Sequence, residues 1–196
     1  MDDKTKPLQL LLVVETSSED KTDAIYINEV IRKYFDVSDV NIQWITLGGK
    51  SNYKNKKIRD KIKSLSRMFE SYANGKTVTI YFIDTDSTET QYIKGSFFSN
   101  LKDYIEENGY ELVWFCKNAE NVFLRKEPDS LENKTEVAKA FALSGGIDKI
   151  PESDLNRLAI ELNCSNILLV LSKYLTQKWL RIQMNSFIIS SSPLFQ

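Results

Sequence analysis

Thr77-Val78-Thr79-Ile80-Tyr81-Phe82-Ile83-Asp84-Thr85-Asp86 is a run of β-branched and aromatic residues that ends in two carboxylates one residue apart. A run of this composition reads as a buried strand. As a strand of a parallel sheet it delivers Asp84 and Asp86 to the carboxyl edge, where open α/β folds bind their ligands. Period-two alternation predicts that both side chains point the same way. Two convergent carboxylates attract a hard divalent cation, Mg2+ or Mn2+. A second apolar stretch, Leu8 to Val14, also ends in an acid, Glu15, and runs into the polar turn Thr16-Ser17-Ser18-Glu19-Asp20. Three acids are therefore expected to meet at one sheet edge.

Working outward, strand-like and helix-like periods alternate. Thr22 to Phe35 repeats its apolar residues at helical spacing, and Val40 to Leu47 alternates like a strand before Gly48-Gly49. Asn55 to Ala73 reads as a basic amphipathic helix with Ile58, Ile62, Leu65, Met68 and Phe69 inward, closed by Asn74-Gly75. Phe97 to Asn108 is a further helix and Tyr110 to Cys116 a fourth strand, with Lys117-Asn118-Ala119-Glu120-Asn121 beyond its tip. This order requires parallel strands and right-handed crossovers. The expectation is an α/β, Rossmann-like parallel sheet of about four strands over residues 1–125. A mainly helical extension is expected over 126–196, with helices at Leu131–Leu143, Glu152–Leu162 and Ser165–Arg181. The segment Phe187 to Ser192 fits none of these elements.

Composition excludes several chemistries. The 196 residues contain no histidine, which removes His-dependent triads and HExxH metalloprotease sites. The two cysteines, Cys116 and Cys164, lack metal-ligand spacing and read as small buried apolar groups. Gly48-Gly49-Lys50-Ser51 is not a P-loop, because position 44, where that pattern needs its first glycine, is Trp. Leu8 to Val14 is too short to span a bilayer, and no signal-peptide pattern opens the chain, so no membrane association and a cytoplasmic location are expected. The net charge is only −1, yet eight of the 26 cations and one of the 27 acids fall between Lys50 and Arg67. That segment, with Lys50, Lys54, Lys56, Lys57 and Lys61, reads as a phosphate-contacting face; the blander alternative is a solvated helix surface.

A strand ending in Glu15, a helix, a strand with glycines, a basic helix and a strand ending in Asp84-Thr85-Asp86 together resemble the Toprim domain, over roughly Leu8 to Phe115. The resemblance implies that Asp84 and Asp86 bind Mg2+ and that Glu15 acts as general acid or base or completes the metal shell, in phosphodiester chemistry on DNA or RNA. Thr88 departs from topoisomerase members, which often place a third acid there. A compact nuclease similar to Toprim proteins of bacterial phage-defence and mobile-element loci is then the expectation, as a homodimer or beside a partner protein. Asn118 and Glu120 are candidates for a supporting role, by hydrogen bonds or at a second metal. Three alternatives stay open: a haloacid-dehalogenase-like phosphatase using Asp84-Thr85-Asp86-Ser87-Thr88, which lacks the later acid pair; a DxD glycosyltransferase; and a non-catalytic binding or regulatory module with a degenerate metal site.

Overall fold

The computed structural model describes residues 6–16, 22–88, 95–126 and 131–178. Four parallel strands, β1 (Leu8–Val14), β3 (Val40–Thr46), β4 (Lys76–Asp84) and β5 (Glu111–Phe115), form one sheet in the order β3-β1-β4-β5. The register aligns Val14 with Thr46 on one side and with Phe82 on the other, while Asp84 lies beside Phe115. All four strands therefore end together. The chain leaves β1 in one direction and returns past it to β4, so the boundary between β1 and β4 is the topological switch point of a doubly wound sheet.

Central position explains the composition of β1. Leu10 through Val14 are at most 1% exposed, as expected of a strand covered on both faces. Alternation then divides the core. Leu10, Leu12 and Val14 with Ile80 and Phe82 face α1 (Thr22–Tyr34), α4 (Ala119–Leu124) and α5 (Leu131–Leu143). Leu11, Val13, Tyr81 and Ile83 face α2 (Lys56–Ala73) and α3 (Phe97–Glu107). On the first side Tyr26 of α1 stacks on Phe123 of α4 at 5.0 Å between centroids and meets Phe141 of α5 edge-on at 5.2 Å. Ile147, Leu155, Ile167 and Leu171 join the same cluster, so the residues after Leu131 share the core of the sheet.

Helix ends follow their capping residues. Asn55 caps α2 by accepting from the Lys57 N–H at 3.0 Å, and Ser96 caps α3 by accepting from the Ser99 N–H. Asn74 takes the left-handed position that ends α2, with φ 49°. Gly75, after it, is needed for space, since a Cβ there would lie 2.2 Å from the Phe69 ring and 2.8 Å from the Pro7 carbonyl.

The C-terminal segment differs from the sequence expectation. Glu152–Leu162 is helical only over α6 (Glu152–Leu155), because Asn156 leaves helical geometry and Asn163 adopts φ 60°. Ser165–Arg181 is helical only over α7 (Ile167–Leu171), followed by turns and a two-residue strand, β6 (Thr176–Gln177), paired antiparallel with β2 (Phe35–Asp36). Short apolar runs do not distinguish helix from other buried segments by periodicity. The end of that predicted helix, 179–181, and the segment Phe187 to Ser192 lie outside the described residues. Asn166, just before α7, accepts from the Trp114 N–H at 2.9 Å and donates Nδ2 to the Leu112 carbonyl at 2.9 Å, so one side-chain amide occupies the outer hydrogen-bonding positions of β5. Cys116 and Cys164 are both buried, Cys164 in a turn rather than a helix, with the Cys116 N–H donating to the Cys164 carbonyl at 3.0 Å.

Candidate functional site

Glu15 stands directly after β1 at the switch point, and the glycine pair after β3 wraps around it. Gly49 N–H donates to the Glu15 carbonyl at 2.9 Å and Gly48 N–H to the Thr16 carbonyl at 3.3 Å. Both glycines have positive φ, 66° and 116°, so this close wrap depends on them. The wrap sets Lys50 at the site. The Glu15 carboxylate accepts from the Asp84 backbone N–H, while its Oε2 is buried with no hydrogen-bond partner. Burial pushes its pKa up, with Asp86 adding to the rise and Lys50 opposing it.

Asp84 and Asp86 do not share an environment. Asp84 ends β4 on the side of Ile80 and Phe82, and its carboxyl is held well above the usual carboxylate range by burial and then by Asp23, Glu15 and Glu120. Asp86 has φ 61°, which breaks the strand alternation that would have aligned the pair. Its backbone N–H donates to the Lys117 carbonyl at 3.1 Å, and its side chain forms an ion pair with Lys50 on the exposed side. Lys50 also lies over the Phe97 ring at 5.6 Å.

Two acids complete the buried side. Asp23 occupies the first turn of α1 and is 7% exposed. Glu120 is placed by α4, which Asn118 caps by accepting from the Asn121 N–H at 2.8 Å. Glu120 is 3% exposed and pairs with Lys134 of α5 at 3.2 Å. Burial lowers the Lys134 pKa, but Glu120, Asp84 and Asp23 outweigh it and the net shift is upward. Beneath them the Tyr26 hydroxyl is buried without a hydrogen-bond partner, its pKa raised by burial and by Glu120 and Asp23. Sequence reasoning gave Glu120 only a supporting place and missed Asp23 altogether. The signal for Asp23 was an acid in the first turn of the helix that follows the Glu15 strand.

Such a set has one evident need. An acid whose ionisation is opposed by burial and by three neighbouring carboxylates, as Asp84 is, would be relieved by a cation, and the orphaned Glu15 Oε2 is an oxygen without a donor. All the groups are hard oxygens, which suits Mg2+ better than a soft metal. Among the described residues no three carboxylates or thiols are gathered closely enough to chelate an ion together. Mg2+ commonly uses one or two carboxylates with water and substrate oxygens.

Of the cations expected to bind phosphate, Lys50 is at the site. Lys54, Lys56, Lys57 and Lys61 lie on the short 3-10 turn Lys50–Lys54 and the outer face of α2, all exposed. No helix among the described residues is long and apolar enough to cross a membrane.

The parallel sheet, its switch point and its flanking helices place the chain in the doubly wound α/β class. No family model matches the chain, and no curated protein is significantly similar to it.

Proposed function

We propose that the protein is a metal-dependent nuclease, with its reaction centre at Glu15 and Asp84. The observation that carries this reading is the gathering of Asp23, Glu15 and Glu120 around Asp84, where their charges oppose its ionisation, at the switch point of a parallel sheet. Glu15 and Asp84 would hold Mg2+, with Asp23 and Glu120 around them. The ion would supply charge neutralisation at a phosphate oxygen and a more acidic bound water. Glu15, its pKa raised by burial, would use the carboxylate oxygen not on the ion to take the proton from the attacking water as the water oxygen bonds to phosphorus, while the P–O bond to the leaving nucleotide oxygen breaks and that oxygen takes a proton from solvent. Lys50 binds a neighbouring phosphate and in doing so gives up Asp86, which is then free to turn toward the centre. The cations of α2 hold the rest of the polyanion by its backbone, without reading sequence. The order of motifs that resembles the Toprim domain supports the same reading, including a place in phage defence or on a mobile element.

The test is incubation of purified protein with plasmid DNA, single-stranded DNA and RNA, each with Mg2+, Mn2+ or EDTA, beside Asp84→Asn and Glu15→Gln. Metal-dependent degradation lost in both variants is the expected result. Full activity in both would end the proposal. A second reading, a non-catalytic binding module, is favoured by one observation, the engagement of Asp86 by Lys50 rather than by the other acids. It predicts nucleic-acid binding without cleavage and without metal affinity in calorimetry.

A further inference from the structure

The outer face of α2 combines two features that charge alone does not explain. Along one stripe, at spacings of three and four residues, stand Lys57, Lys61, Ser64, Met68 and Tyr72, all exposed. Tyr72 is 89% exposed, and Met68, expected inward from its spacing, is 53% exposed, on a stripe that flanks the face burying Ile62. A parallel row carries Lys56, Lys63 and Arg67. Among the described residues, none of Lys56, Lys57, Lys61, Lys63 and Arg67 is ion-paired, although Asp60 lies on the same helix and other surface cations find acids. The helix starts beside Lys50 at the carboxyl edge and returns to the start of β4, so the stripe leads from the candidate site about 22 Å down the molecule to Tyr72.

An unneutralised basic surface fits a polyanion. An exposed aromatic ring at its end fits one with unpaired bases, because every base offers a π-face and stacks without regard to sequence. The bases of a duplex are already stacked on one another, and a polysaccharide or lipid headgroup presents no such face.

We propose that α2 is a track for single-stranded nucleic acid, with its cations on the backbone and Tyr72 stacked on a base at the end remote from the reaction centre. This rests on the nuclease reading for its substrate class. Met68 supplies the apolar contact beside the ring, and Lys57 and Lys61 lead the strand toward Lys50.

Fluorescence anisotropy with a labelled single-stranded oligonucleotide tests it, beside the same sequence as a duplex, heparin as a polyanion without bases, and anionic lipid vesicles. The proposal expects the single strand to bind more tightly than the other three. Tyr72→Ala should weaken single-strand binding about tenfold with an unchanged salt slope and leave heparin unaffected, while Tyr72→Phe retains affinity. Lys57→Gln with Lys61→Gln should instead lower the salt slope by about 1.4. Equal single-strand affinity in Tyr72→Ala and wild type, or preference for duplex or vesicles, would overturn the track and leave the carboxylate site standing. Failure of the wild type to bind any nucleic acid would overturn both readings together.

Discussion

Asp84 and Asp86 are two residues apart, identical in chemistry, and opposite in circumstance. Asp84 continues the strand, enters the α1 side of the sheet, and sits half-buried among Asp23, Glu15 and Glu120 with its ionised form penalised. Asp86 turns through a left-handed φ, leaves the strand, and meets Lys50 on the α2 side, where its side chain is 69% exposed. One backbone angle separates a carboxylate under electrostatic strain from one in an ordinary surface ion pair. The difference teaches where the chemistry is stored. The α1 side holds buried like charge that only a proton, Lys134 or a bound cation relieves, whereas the α2 side holds exposed charge ready to exchange one partner for another.

The sharpest way to break that contrast is catalytic. Asp84→Asn should reduce metal-dependent cleavage more than about a hundredfold, beyond the effect of removing a mere supporting partner of a metal site. Asp86→Asn should cost less, about tenfold, and equal losses would show the two aspartates to be equivalent during the reaction. Next in size is the loss of a counter-ion. Lys134→Met leaves Glu120 buried without its partner and should destabilise the fold by about 2–3 kcal/mol, read as a lower urea midpoint at constant slope.

Smaller still is the effect of pH on the buried side. Because the folded protein holds the Asp84 and Glu15 protons more tightly than the unfolded chain, these groups make stability fall as pH rises above the ordinary carboxylate range. Asp84→Asn should therefore raise Tm by about 2–4 °C near pH 8, equivalent to about 1 kcal/mol, and by much less near pH 4. Mg2+ should raise the wild-type Tm more at pH 8 than at pH 5, since protons compete for the same oxygens, and thermal scans of wild type and variant with and without the ion would reveal it. The smallest expected change is Lys50→Met. Breaking its exposed pair with Asp86 should move stability by no more than about 0.5 kcal/mol. A larger loss in a denaturant titration would mean that the two sides of the site are mechanically linked.

Much of this was legible in the sequence where burial and periodicity agree. The strand from Thr77 to Asp84 and the apolar run from Leu8 to Val14 declared themselves, because central parallel strands are apolar on both faces. The end of α2 was readable from Asn74-Gly75, whereas the capping roles of Asn55 and Ser96 emerged only with the structure. The meeting of Glu15 with Asp84 followed from strand order. The turn of Asp86 did not, because nothing in Asp-Thr-Asp marks which residue leaves the strand. Asp23 and Lys134 were illegible for another reason: their place depends on how α1 and α5 pack against the sheet, which brings them to Asp84 from 61 and 50 residues away in the sequence. The C-terminal helices were over-read because Ile167 to Leu171 is apolar on every side, which is what a short buried segment also requires.

Asn166 gives the sheet a direction of growth. With its single amide answering the Leu112 carbonyl and the Trp114 N–H, the β5 margin has nothing left at those positions to offer another strand. Sheet margins left bare are templates for self-association, and this molecule spends one side chain as a terminator on one flank. Any intermolecular extension of the sheet is thereby confined to the β3 flank, and with one joining edge per copy it closes at a pair, β3 against β3, and does not run on as a stack.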